Sequence, residues 1–173
     1  MEIPDGVVSI RDCAFSFSGI QSIRIPDGCT LGGISIFNNC YSLVKVQIGS
    51  GTTNIKAESF AKCTALKEVS LPDTCKEIGS GAFSNCSSLE EIELPKNTIR
   101  LYEYSFAKTG LNRIEIPDGC TVAWNSFYKC ESLNSIEISE KYLFKKHLTA
   151  DELGKHLSSR YYAPNNIEIV VRT

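Results

Sequence analysis

The residues best equipped for chemistry here are eight cysteines, two histidines and a set of regularly spaced carboxylates. Seven of the cysteines fall into two columns. Cys40, Cys63, Cys86 and Cys130 each stand three places after a phenylalanine, and Ser18 and Thr109 take that place elsewhere. Cys29, Cys75 and Cys120 each stand three places after a proline, where Val7, Thr52 and Thr98 are the alternatives. Exchange with small residues describes a site for a small, weakly polar, buried side chain. Disulfides are the sharper alternative. Cys40, Cys63 and Cys86 would come within bridging range if their segments stacked, but side chains of parallel segments point the same way, which is poor disulfide geometry. Free buried thiols are expected. Zinc is weaker still, since neither C-x-x-C nor a Cys–His cluster occurs. Cys13 lies outside both columns and is the candidate reactive thiol. His147 and His156, nine residues apart, would face opposite ways on one continuous helix and make no metal pair. No G-x-S-x-G, no Cys with a nearby His and no phosphate-binding glycine loop is present. No catalytic constellation, metal site or cofactor is expected.

The carboxylates are more informative. One column reads Ser22, Lys45, Glu68, Glu91, Arg113, Ser135, and a second reads Arg24, Gln47, Ser70, Glu93, Glu115, Glu137. The first half is mixed in charge. The second half is acidic, and Glu93, Glu115 and Glu137 would stack at strand spacing, where like charges oppose one another unfavourably. The columns fit a solvated sheet face, with Arg113 offsetting part of the repulsion. They also fit a binding face for a basic partner segment, made of Lys45, Glu68, Glu91, Glu93, Arg113, Glu115 and Glu137.

Both kinds of column imply a repeating unit. Ile3-Pro4-Asp5, Ile25-Pro26-Asp27, Leu71-Pro72-Asp73, Leu94-Pro95-Lys96 and Ile116-Pro117-Asp118 align, with Ile48 and Ile138 in phase, at steps of 22–23 residues. Phe15, Phe37, Phe60, Phe83, Phe106 and Phe127 keep the beat, as do Ile20, Leu43, Leu66, Leu89, Leu111 and Leu133. Within a unit, Leu66-x-x-Val69-x-Leu71 reads as a short strand with Val69 and Leu71 inward. Pro72 closes it, because proline has no ladder donor. Ile78, Ala82 and Phe83 then suggest a short helical turn. One such unit cannot bury its apolar face, but stacked units can. Six strands are expected near 22–25, 45–48, 68–71, 91–94, 113–116 and 135–138, all parallel. The back loops of the second unit, with "CTLGGISIF", and of the sixth, with "CTVAWNSF", should deviate.

The unit resembles the BspA-type leucine-rich repeat. Residues 3–23, "IPDGVVSIRDCAFSFSGIQSI", and 71–92, "LPDTCKEIGSGAFSNCSSLEEI", follow that family's phrase closely, and the likeness covers about residues 3–138. The resemblance implies an α/β fold: a right-handed solenoid with a parallel sheet on one face and short helical turns and loops on the other. It implies a cell-surface or secreted protein, of an adhesion or virulence-associated kind, that binds host, matrix or cell-surface proteins or glycans.

Six repeats are thus expected over 1–138. Residues 139–173 break the period and are expected to form a helix-strand cap: a helix from Ser139 onward, a capping-box pair at Thr149 and Glu152 with Leu153 and Leu157 on one face, and a final strand in "NNIEIVV". No equivalent N-terminal cap is evident, so end-to-end association through that edge is a further expectation. A net charge of −2 without basic runs argues against nucleic acid. No apolar stretch approaches the ~20 residues of a membrane span. No signal peptide precedes Ile3-Pro4, which leaves a cytoplasmic location as the alternative. The expected function is a non-catalytic binding module presenting its sheet face. The alternatives are a spacer array without a ligand and, more remotely, an enzyme with a site in the 139–173 tail.

Overall fold

The structure is a computed structural model and describes residues 1–141 and 167–172. His147, His156 and the expected helix through Thr149, Glu152, Leu153 and Leu157 lie outside the described residues. The chain winds into a parallel solenoid of about six coils. Its front face carries β2 (Ser22–Ile25), β4 (Lys45–Ile48), β6 (Glu68–Ser70), β9 (Arg113–Glu115), β11 (Ser135–Ser139) and β12 (Glu168–Arg172). Its back carries β1 (Ser9–Ile10), β3 (Thr30–Leu31), β5 (Asn54–Ile55), β7 (Glu77–Ile78), β8 (Arg100–Leu101) and β10 (Thr121–Val122), each two residues long. Every strand pair is parallel, and the front register follows the repeat: Ile23 faces Val46, Val46 faces Val69, and Ile114 faces Ile136.

The phenylalanine column is the spine. From Phe15 to Phe127 adjacent rings stack with centroids 5.1–5.9 Å apart and planes within 14°. Phe37, Phe60, Phe83 and Phe106 are fully buried. The coils impose the parallel stacking, because each ring sits on one backbone position repeated along the axis.

Two details differ from the sequence expectation. The first is the back. Where a helical turn is expected, the chain makes tight turns whose Phe amide bonds the next coil instead of its own: Phe37 N–H donates to Ser59 C=O at 2.7 Å and Phe60 N–H to Ala82 C=O at 2.8 Å. Two left-handed residues per coil prevent a helix. Cys13, Ser35, Glu58, Gly81 and Tyr104, two places before the Phe, have φ of 52–62°, and Phe17, Asn39, Lys62, Asn85, Lys108 and Lys129, two places after it, have φ of 54–62°. The sixth coil departs as expected, since Asn125 is not left-handed. In the second coil the change is absorbed by Gly33, where a Cβ would lie 2.2 Å from the Asp12 backbone nitrogen.

The second difference is at the front. Residues 91–94 are not a strand, so the front divides into β2-β4-β6 and β9-β11-β12. Coil four still joins coil five at its base, where Asn112 N–H donates to Glu90 C=O at 3.0 Å. Among the described residues the amides of Glu91 to Leu94 make no backbone hydrogen bond. Charge opposes closure here but does not decide it alone, since Glu115 and Glu137 are paired in the intact β9–β11 ladder. Glu90, Glu91 and Glu93 crowd four residues, and a closed ladder would set Glu91 beside Glu68 and Glu93 beside Glu115, like charge against like. The core loosens accordingly: Ile92 and Leu94 are each 8% exposed, and Val69 and Leu71 are half-buried, against 0–1% for Val46, Ile114 and Ile136.

Candidate binding face

The front strands alternate buried and exposed positions, as in the eBeB pattern of Ser22–Ile25 and Lys45–Ile48. That alternation turns both sequence columns outward. The N-terminal half is internally neutralised: Lys45 Nζ lies 2.5 Å from Glu68 Oε2, with the two residues opposite one another on β4 and β6. In the C-terminal half Glu115 and Glu137 are register partners on β9 and β11, as the repeat implies. Glu115 is then bonded by Arg172 of β12. That pairing spans 57 residues. The sequence columns could not show it, because β12 lies outside the repeat. Glu91, Glu93 and Glu137 have no ion pair among the described residues.

The opened coil gives this charge a container. A groove of about 390 Å³ is lined by Glu91, Glu93, Lys96, Arg113, Glu115 and Glu137, with Ile92, Leu94 and Ile114 beneath. A second hollow of about 580 Å³ continues past Leu94 and Glu115 to Pro117, Asp118, Ser139 and Arg172. The structure therefore brings five of the seven candidate residues together, and leaves Lys45 and Glu68 apart as a separate pair. Lys96, Arg172 and the apolar floor were not among the sequence candidates. Lys96 stands where the other units have Asp5, Asp27, Ser50, Asp73, Asp118 and Glu140, a substitution visible in the alignment.

The cysteines are all free, and only Cys13 is exposed. Their geometry explains the column. Each thiol donates back to the phenylalanine carbonyl of the preceding coil: Cys63 to Phe37 at 3.1 Å, Cys86 to Phe60 at 3.1 Å, Cys130 to Phe106 at 2.9 Å. In that column Thr109 instead bonds the carbonyl of its own coil's Phe106 at 2.8 Å, and the Ser18 hydroxyl shares a hydrogen bond with Cys40. Burial pushes the Cys86 thiol up and the Cys75 thiol up to about 11, while hydrogen bonding with Cys40 and burial push Cys63 up. Cys63, Cys75 and Cys86 are thus structural thiols held protonated, whereas hydrogen bonds from Cys63 and Ser18 hold Cys40 down at about 6. Among the described residues, no group of three or more His, Cys, Asp or Glu is placed to hold a metal ion. None of the described helices is long and apolar enough to cross a membrane.

The profile of the BspA type leucine rich repeat region matches residues 1–81 and 53–147, with six copies. The chain belongs to that family, a leucine-rich repeat class built as a scaffold of stacked coils. A crystal structure of a leucine-rich repeat protein from Bacteroides ovatus superposes on the whole chain with a TM-score of 0.79 at 26% identity, covering 42% of that protein. A leucine rich cell surface protein from Faecalibacterium prausnitzii is similar over 79% of the chain, with a TM-score of 0.57 at 25% identity, covering 46% of its length. The leucine rich repeat protein of T. pallidum shares the fold over 96% of the chain and 86% of its own length, with a TM-score of 0.70 at 19% identity. The chain thus spans less than half the length of the first two. No curated protein matches the sequence.

Proposed function

We propose that the protein is a non-catalytic binding module at the cell surface, and that the C-terminal half of its front sheet holds an extended basic segment of a partner protein. The observation that carries this reading is the groove over coil four, where Glu91, Glu93 and Glu137 stand around an apolar floor without an ion pair among the described residues. Four carboxylates against the two cations Lys96 and Arg113 leave the groove lining net negative, which favours a cationic ligand. The relatedness to a leucine rich cell surface protein supports the location. The repeat scaffold supports a non-catalytic reading, since its buried thiols bond backbone carbonyls of the neighbouring coil. A spacer array without a ligand is the second reading, and it is favoured by the exposed Lys45–Glu68 pair, which neutralises the other half of the face.

The test is binding of an extended peptide alternating Arg and Ser, compared with one alternating Gln and Ser, by fluorescence anisotropy. The basic peptide should bind and should weaken as salt is raised, because exposed charges are screened over about 10 Å at 0.1 M. Binding of neither peptide would favour the spacer, and equal binding of the two would refute a basic segment as the partner.

A further inference from the structure

Coil four is closed at its spine and its back but open at its front. Its Phe83 ring stacks on Phe60 and Phe106, with centroids 5.3 and 5.4 Å away. Behind the ring, Phe83 N–H donates to Ser105 C=O at 2.8 Å, and Ala82 C=O accepts from Phe60 N–H at 2.8 Å. The other front segments, at 22–25, 45–48, 68–70, 113–115 and 135–139, are strands. Neither the N–H nor the C=O of Glu91, Ile92, Glu93 or Leu94 makes a backbone hydrogen bond among the described residues. The sheet also ends on either side. Among the described residues β6 pairs with β4 alone, and β9 pairs with β11 alone. Residues 91–94 line the groove of about 390 Å³ together with Arg113, Ile114 and Glu115 of β9. An open main chain therefore lies in the same hollow as the carboxylates.

On the reading of this groove as the seat of a basic segment, we infer that the segment is held by its main chain as well as by its charge. It lies in the hollow as a short added strand, hydrogen-bonded to the main chain of residues 91–94. Each of those residues offers one donor and one acceptor, and open groups of this kind are a template for strand addition. Successive side chains of a strand point to opposite faces. One set meets Glu91, Glu93 and Glu137, and the other meets the floor of Ile92, Leu94 and Ile114. The first set is cationic and the second small or apolar. That narrows the partner. A basic helix spends its amides within itself and is about 10–12 Å across. A proline-rich segment lacks the donors. The occupant is an extended, proline-free segment in which basic residues alternate with small or apolar ones.

The experiment compares the Arg-Ser peptide with the same peptide N-methylated at every backbone amide, by fluorescence anisotropy at low salt and by hydrogen exchange of the full chain. Length and charge are kept, and the main-chain donors are lost. Methylation should weaken binding by at least about tenfold. The unmethylated peptide should slow exchange of the amides of residues 91–94 by a similar factor. Equal affinity of the two peptides overturns the inference and leaves the groove a site read by charge alone. Weaker binding on methylation without slowed exchange at residues 91–94 also overturns it, because the main-chain pairing would lie elsewhere. So does exchange that slows there when the peptide-free protein is concentrated, since a second copy would then be the occupant. Failure of the unmethylated peptide to bind overturns both this inference and the basic-segment reading.

Discussion

Lys45 and Glu68 lie opposite each other on β4 and β6, 2.5 Å from Nζ to Oε2, while their side chains remain 57% and 61% exposed. An ion pair this open adds little stability, of order 0–1 kcal/mol. Its consequence is electrostatic: it cancels charge on the N-terminal half of the front face. Across the opening at coil four the same face carries Glu91, Glu93 and Glu137, which have no ion pair among the described residues. The face thus has a neutral half and an acidic half, and a groove lies over the acidic half.

The spine makes a direct stability prediction. Phe60 is fully buried between Phe37 and Phe83, at centroid distances of 5.1 and 5.3 Å. Phe60→Ala should cost about 3–5 kcal/mol in urea unfolding. Phe15→Ala, at the half-open end, should cost clearly less. Equal losses would mean that the first coil is covered.

The left-handed column makes a second. Lys62 has φ of 62°, a conformation that favours Gly and penalises branched side chains. Lys62→Gly should stabilise by about 0.5–1 kcal/mol, and Lys62→Val should destabilise by at least about 1 kcal/mol. Thermal melts of the pair check the sign.

Acid sensitivity follows from Asp27. Its Oδ1 accepts hydrogen bonds from the Ser50 backbone N–H at 2.8 Å and the Ser50 hydroxyl at 2.9 Å, and these hold its carboxyl below the usual 3.8. A carboxylate favoured in the folded state stabilises fully above the unfolded pKa and loses that contribution as pH falls through the folded value. The stability of the parent should therefore decline below about pH 4, and Asp27→Asn should flatten that part of the profile. An unchanged slope in denaturant midpoints measured from pH 6 to pH 2 would show that the bond is not formed.

The thiols differ in access. Cys13 is exposed and the other seven are buried. A maleimide should label one group in the native protein and all eight after denaturation without reductant. Fewer than eight in the denatured sample would reveal disulfides that the column geometry disfavours.

Much of the fold was legible because it is written several times. The inward positions of β2, β4, β9 and β11 follow from alternation repeated at the same interval, and the spine follows from the Phe column. What escaped was whatever depends on a single unit or lies outside the repeat. Glu91 and Glu93 stand in the outward columns, but Glu90 lies outside them, and together the three oppose pairing at coil four. The helical turn expected around Ala82 and Phe83 is absent, since spacing alone does not reveal that Gly81 and Asn85 are left-handed. Arg172 reaches Glu115 only because β12 joins β11 in parallel, and no periodic signal links those two residues.

The central claim, that the acidic half of the face is the binding surface, is tested most directly by a charge-neutral variant carrying Glu91→Gln, Glu93→Gln and Glu137→Gln. It leaves the Arg172–Glu115 and Lys45–Glu68 pairs intact and removes repulsion, so it should fold at least as stably as the parent. The measurement is the Kd for the Arg-Ser peptide at low salt, parent against variant, with Lys45→Gln/Glu68→Gln as a second comparison. The account predicts that the acidic-half variant loses at least about tenfold in affinity, or about 1.4 kcal/mol, while the Lys45/Glu68 variant binds like the parent. Unchanged affinity in the acidic-half variant, with its fold intact, would contradict it.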